Sequence, residues 1–152
     1  SMIEGIENQQ RQAGMIQAVL GGIGAVSLFV AAIGIANTMM MSIYERTKEI
    51  GVMKVLGCDM RNIRNMFLIE SGFIGLAGGV IGIGLSYGIS YLINHIGGIA
   101  QAMSGMEGDI SRIPLWLVGL AIVFAIVVGM GAGFMPAMRA MKLSPLAAIR
   151  NE

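Results

Sequence analysis

Residues 18–43 read AVLGGIGAVSLFVAAIGIANTMMMSI, a run in which only Ser27, Asn37, Thr38 and Ser42 are polar and nothing is charged. It occupies a charge-free gap between Arg11 and Glu45. A bilayer core about 30 Å thick is crossed by about 20 apolar residues at ~1.5 Å rise each, so this run is long enough to span. A helix is the economical form there, because it satisfies every backbone amide and carbonyl within the segment.

Two further gaps have the same character. One lies between Glu70 and Glu107 with its apolar body at 72–93, and the other between Arg112 and Arg139, centred on 115–135. The chain is 55% hydrophobic and 12% charged, against about a quarter charged in an ordinary soluble domain; that much apolar surface has no hiding place in a soluble fold of this length. The predicted fold is therefore an all-α integral membrane protein with three transmembrane helices, at about 18–43, 71–93 and 114–136. The stretch ahead of the first span carries Glu4, Glu7 and Arg11 rather than a basic leader, and the run itself is too long for a signal-peptide core. The lone Cys58 rules out an internal disulfide framework.

Basic residues in short loops are retained on the cytoplasmic side. Arg46, Lys48, Lys54, Arg61 and Arg64 follow the first span, and Arg139, Lys142 and Arg150 follow the third, whereas Arg11 and Arg112 stand alone on the other side. The count predicts the N-terminus outside and the C-terminus inside. An outside N-terminus without a signal sequence further predicts a membrane helix upstream, with residues 1–14 as the end of an extracytoplasmic region and 15–152 as the membrane domain. Trp116 and Tyr91 near the outer boundary and Tyr44 near the inner one suit aromatic anchors.

Glycines recur at four-residue spacing in the second and third spans: Gly75 and Gly79, Gly78 and Gly82, Gly84 and Gly88, Gly129 and Gly133. Such pairs let helix backbones approach in lipid, where no hydrophobic drive brings helices together. They mark either packing within one bundle or a sliding or dimerising interface. Between the first two spans, residues 45–56 alternate charge and apolar character at helical spacing, with Ile50, Met53 and Leu56 in one stripe and Glu45–Lys48 and Arg46–Glu49 as i,i+3 pairs. Gly57 suits a left-handed helix stop, Asp59 suits the cap of a new helix, and Ile63, Met66 and Phe67 form its apolar stripe. The segment 45–66 thus reads as helix, sharp turn, helix. Residues 94–112, with Gly97, Gly98, Gly105 and Gly108, read as a short mobile outside loop, Pro136 as the close of the third span, and Leu143-Ser144-Pro145 as a turn into a short terminal helix.

Catalytic chemistry is poorly served. None of Lys48, Lys54 or Lys142 follows a glycine, so no phosphate loop ends in Gly-Lys-Ser/Thr. One histidine and one cysteine cannot assemble a zinc-type ligand set. Gly84-Leu85-Ser86-Tyr87-Gly88 matches G-x-S-x-G by letter, with His95 nearby, but a nucleophile elbow needs a strained strand-to-helix turn and these residues lie within a glycine-rich membrane helix. No catalytic residue and no metal ligand is assigned. Among polar residues, Asn37 either bonds a neighbouring helix, the favoured reading, or lines a polar path. Glu70, where the second span meets the cytoplasmic boundary, is either a buried functional carboxylate or an interfacial one paired with Arg64 or Arg139. The fourteen methionines suit adaptable packing.

The run Ile33-Gly34-Ile35-Ala36-Asn37-Thr38-Met39, followed by Glu45-Arg46-Thr47-Lys48-Glu49-Ile50-Gly51-Val52-Met53-Lys54-Val55-Leu56-Gly57, resembles the FtsX-like permease domain of MacB-type ABC transporters. The likeness continues in Phe67-Leu68-Ile69-Glu70, in Pro136-Ala137-Met138-Arg139-Ala140 and in Leu143-Ser144-Pro145-Leu146-Ala147-Ala148-Ile149-Arg150. It implies the last three helices of a four-helix permease in the plasma or inner membrane, paired with a second permease copy and with an ABC ATP-binding subunit. That subunit binds the ATP, so this chain carries no cofactor. No nucleic-acid partner is implied. The cytoplasmic segment after the first span becomes an amphipathic coupling helix that docks on the ATPase, carried by Glu45, Arg46, Lys48, Glu49, Ile50, Gly51, Met53, Lys54, Leu56 and Gly57. Helix packing falls to Gly75, Gly79, Gly82, Gly84, Gly88, Gly129 and Gly133, and interhelical polar contacts to Asn37 and Glu70. The expected function is mechanotransmission, in which ATP hydrolysis drives an extracytoplasmic movement for efflux or export. The alternatives are a membrane scaffold that regulates a cell-wall hydrolase and an independent small channel.

Overall fold

The computed structural model describes residues 1–105 and 111–142, and among these every regular element is a helix. They are α1 (Met2–Glu45), α2 (Thr47–Val55), α3 (Met60–Ser104) and α4 (Leu115–Lys142). Three of them, α1, α3 and α4, are long and apolar enough to cross a membrane, and the protein is a multi-pass membrane protein. The terminal stretch 143–150 of the family likeness, with its Leu143-Ser144-Pro145 turn, lies outside the described residues, as do Glu107 and Gly108.

The chain divides into two compact units, Ser1–Gly34 and the residues from Ile35 on. The first is helix throughout from Met2, so α1 begins well ahead of residue 18. Its apolar side chains stand uncovered, with Val19, Leu20, Ile23, Val26, Phe29 and Val30 each about 60% exposed or more. In water such a face would cost about 25 cal/mol per Å² of apolar surface; against lipid tails it costs nothing.

In the second unit α3 and α4 pack antiparallel along a ladder of small residues. Gly133 faces Ser71, Gly129 faces Gly75 and Ala125 faces Gly79. The approach is close enough that a Cβ built on Gly129 would fall 2.6 Å from the Ser71 carbonyl oxygen and 3.0 Å from the Gly75 Cα. Backbone is therefore in contact with backbone. Ser71 is fully buried and donates its hydroxyl to the Leu68 carbonyl at 2.9 Å, which leaves no orphan polar group at the crossing.

At one end of the bundle, Met39 and Ile43 of α1, Ile50 of α2, Ile63 and Phe67 of α3, and Ala137 and Ala140 of α4 form the buried core. At the other end, Asn94 grips the segment leading into α4: its amide donates to the Ser111 carbonyl at 2.7 Å and its carbonyl accepts from the Ser111 amide at 2.8 Å. Ser90 adds a hydroxyl contact to Ser111 at 2.9 Å.

Two sequence expectations are corrected. Residues 94–104 are the last turns of α3 and not a loop, and the helix stops only at Gly105, whose φ of 76° is left-handed and whose amide returns to Gln101. The helix does not stop at Pro136; α4 continues to Lys142 with Pro136 buried inside it. A proline removes one i→i−4 bond, which membrane helices tolerate where neighbours cover the freed carbonyl. Pro136 sits directly before the core residues Ala137 and Ala140.

Candidate coupling site at the basic end of the bundle

The site grows out of the junction between α1 and α2. Arg46, at φ −100° and ψ 13°, breaks the helical path. The Thr47 hydroxyl then donates to the Ile43 and Tyr44 carbonyls, each at 2.9 Å, and so serves two of the carbonyls that the end of α1 leaves open. The far end of α2 is a Schellman motif. The Cys58 amide bonds the Met53 carbonyl at 3.0 Å and the Gly57 amide bonds the Lys54 carbonyl at 3.1 Å. Gly57 takes the left-handed φ of 87° that this motif requires. Asp59 follows immediately, its carboxylate accepting from the Arg61 amide at 3.2 Å as the N-cap of α3. The reversal between α2 and α3 is thus fixed by hydrogen bonds on both sides of the glycine.

Three anchors hold α2 to the helices around it. Ile50 is fully buried in the shared core. Arg46 pairs with Glu70 of α3 at 3.4 Å, both side chains partly exposed, so this ion pair contributes about 0–1 kcal/mol. Lys54 donates its ammonium to the Met141 carbonyl of α4 at 2.7 Å. Met141 lies in the last turn of α4, whose carbonyls lack partners within the helix, and a cation there also meets the negative end of the helix dipole. Burial lowers the Lys54 ammonium below its ordinary value of 10.5.

The residues singled out from the sequence separate into two groups. Ile50 and Gly51 are buried and Met53 and Lys54 half-buried, all turned into the bundle, whereas Glu45, Arg46, Lys48, Glu49, Leu56 and Gly57 are exposed. Leu56 is 78% exposed and does not share the inward face of Ile50 and Met53. Val52 and Val55, absent from the sequence-derived set, are exposed on α2, as are Leu56 and Met60 just beyond it. Their signal was present as a second apolar pair three residues apart, masked by the stronger Ile50–Met53 pair. Glu70 meets Arg46 rather than Arg64 or Arg139. Asn37 is exposed on α1, and its side chain forms no hydrogen bond among the described residues.

Of the spaced glycines, Gly75, Gly79, Gly129 and Gly133 lie in the α3–α4 crossing, while Gly78, Gly82, Gly84 and Gly88 have open space where a Cβ would stand. Ser86 donates back to the Gly82 carbonyl at 2.8 Å within its own helix, and His95 stacks on Tyr91 with ring centroids 6.0 Å apart. The letters of the hydrolase motif are therefore not joined into a nucleophile and base.

Residues 21–145 match the family model for the FtsX-like permease C-terminal region. The chain is 46% identical over 136 residues to the ABC transporter permease YtrF of Bacillus subtilis, covering 86% of this chain and 31% of that protein. It is 37% identical over 139 residues to the uncharacterized ABC transporter permease YknZ of the same organism, covering 91% and 32%. It is 36% identical over 139 residues to the macrolide export ATP-binding/permease protein MacB of Neisseria meningitidis, covering 91% and 20%. The chain thus spans a third or less of the length of these relatives. With the match running through all three membrane helices and the whole of α2, the chain belongs to the FtsX-like permease C-terminal family.

Proposed function

We propose that this chain is the permease part of an ABC transporter, in which α2 receives the movement of a separate ATP-binding subunit and passes it through the membrane helices to the extracytoplasmic side. The carrying observation is that α2 is anchored to α1, α3 and α4 together, by Ile50 in the core, by Arg46 on Glu70 and by Lys54 on Met141. Pulling α2 away would expose a fully buried isoleucine, at a cost of roughly 1.5–3 kcal/mol. A push on α2 therefore moves the helices before it detaches them.

The exposed face of Lys48, Glu49, Val52, Val55 and Leu56 is the docking surface in this reading, with charge for register and apolar area for affinity. Ile50, Gly51, Met53 and Lys54 position that face rather than touch the partner. The basic loops favour a cytoplasmic position for this end, and in this reading a second permease copy completes the assembly. Export is the favoured direction, since one relative is named for macrolide export. The absence of Asp, Glu, Lys or Arg from residues 18–43, 72–93 and 115–135 also favours mechanical transmission over a polar path through the bilayer.

Co-purification with the ATP-binding subunit tests the reading. The pair Lys48→Glu and Glu49→Lys is expected to abolish association and the stimulation of ATP hydrolysis, with the membrane helices intact. Full association and stimulation in that variant would remove α2 as the coupling element.

A further inference from the structure

At the Lys142 end of α4 lies a recess of about 210 Å³ lined by Met40, Ile43 and Tyr44 of α1 and by Arg139 and Lys142 of α4. Its lining combines the apolar Met40 and Ile43 with a phenol and two cations. No carboxylate lines it, and among the described residues neither Arg139 nor Lys142 forms a salt bridge. The volume is several times the ~30 Å³ share of one water molecule.

Its position along the helices matters as much as its lining. Tyr44 closes the uncharged stretch of α1 that begins after Arg11, and Arg139 closes the uncharged stretch of α4 that begins after Arg112. The recess therefore sits where hydrocarbon gives way to headgroups, on whichever side of the membrane that end faces. A helix C-terminus attracts cations without any ligand, and Lys54 already meets that need at Met141. The dipole accounts for basic residues in the last turn of α4; it does not account for two of them lining one recess with Tyr44, Met40 and Ile43.

We propose that this recess binds the phosphate headgroup of an anionic phospholipid. The Arg139 guanidinium and the Lys142 ammonium pair with the phosphodiester oxygens, Tyr44 sits at headgroup depth as interfacial tyrosines do, and the first acyl methylenes lie along Met40 and Ile43. Basic pockets between membrane helices bind anionic headgroups in this way. The inference needs only that α1 and α4 span the membrane, and it stands apart from the coupling role of α2.

The test is native mass spectrometry of the full purified chain, titrated separately with dioleoyl phosphatidylglycerol, dioleoyl phosphatidylcholine and inorganic phosphate. The wild type is expected to take up phosphatidylglycerol at lower concentration than phosphatidylcholine. Each exposed cation near an anionic surface contributes about fivefold, so Arg139→Gln with Lys142→Gln is expected to weaken phosphatidylglycerol binding roughly thirtyfold. The charge-preserving pair Arg139→Lys with Lys142→Arg is expected to retain it, and Arg112→Gln at the opposite end to leave it unchanged. Equal binding of the two lipids would overturn the proposal, as would an equal loss in Arg112→Gln. Inorganic phosphate binding as tightly as the lipid would reassign the recess to a free anion.

Discussion

Lys54 of α2 and Met141 of α4, 87 positions apart in sequence, are joined by a hydrogen bond of 2.7 Å from the ammonium to the main-chain carbonyl. A bond to a charged group is worth roughly 1.5–3 kcal/mol, more than the partly exposed Arg46–Glu70 pair supplies. Lys54→Met, which keeps the aliphatic stem and deletes the donor, is expected to speed amide hydrogen exchange in the last turn of α4 while α3 retains its protection. Unchanged exchange at residues 139–142 would show that the bond does not hold α4.

The same lysine gives a pH dependence of known sign. Burial lowers its pKa in the folded protein below 10.5, so between the two values the unfolded chain holds the proton that the folded chain has released. Stability then rises with pH across that window and is lost as pH falls through the folded value. The difference in unfolding midpoint between wild type and Lys54→Met is expected to shift in favour of wild type as pH approaches 10.5. A difference that is flat from neutral pH to 10.5 would mean that the ammonium is not desolvated.

Gly75 and Gly129 set the spacing of α3 and α4. A Cβ on Gly75 would press against the Ala125 carbonyl and lie 3.0 Å from the Gly129 Cα. Both are backbone atoms and cannot turn aside as a side chain would. Gly75→Leu is expected to cost at least the 1–3 kcal/mol of ordinary overpacking, read as a lower midpoint in thermal unfolding in detergent. Gly82→Ala, with no atom within 4 Å, is expected to be neutral or to gain up to about 1 kcal/mol. Equal losses in the two variants would contradict the ladder.

These positions show what could be read from the chain alone. The three uncharged runs announced the membrane helices because hydropathy is a property of each segment by itself. Glycine spacing pointed to close approach at Gly75, Gly79, Gly129 and Gly133 equally with Gly82, Gly84 and Gly88, since periodicity says nothing about which face meets a neighbour. Ser71 and Ala125 complete the ladder and went unread because they are not glycines. In α2, Ile50 and Leu56 belonged to one apolar stripe on paper. The left-handed turn at Gly57 ends the helix at Val55, and Leu56 points away from the core. The Lys54–Met141 and Asn94–Ser111 bonds depend on tertiary proximity and leave no mark in local sequence.

Asn94 closes the far end of the α3–α4 pair with two bonds to the backbone of one residue, Ser111. Replacing it by leucine keeps the bulk, leaves the Ser111 amide without its acceptor and leaves the Ser111 carbonyl only the Ser90 hydroxyl at 3.4 Å, at about 1–3 kcal/mol. Asn94→Leu is expected to make the segment at residues 111–114 more readily cut by protease in detergent micelles, with the core end of the bundle unaffected. Cleavage at the wild-type rate would show that the bracing of this segment lies elsewhere.

On α2, Ile50 and Val52 are two residues apart and face opposite ways, the first fully buried and the second 44% exposed. This permits a separation of structure from coupling on a single short helix. Ile50→Ala removes core contacts and is expected to lower stability by roughly 2–5 kcal/mol, so any loss of function would accompany a lower unfolding midpoint. Val52→Asp places a charge on a surface already in water and is expected to change stability by no more than about 0.5 kcal/mol. If that surface receives the ATP-binding subunit, Val52→Asp desolvates an unpaired carboxylate at the interface and weakens association by tenfold or more. The two variants together distinguish a helix that only braces the bundle from one that also transmits force. Bracing alone predicts that only Ile50→Ala has an effect, whereas transmission predicts an uncoupled but fully stable Val52→Asp protein, measured by ATPase stimulation beside the thermal midpoint of the same preparation.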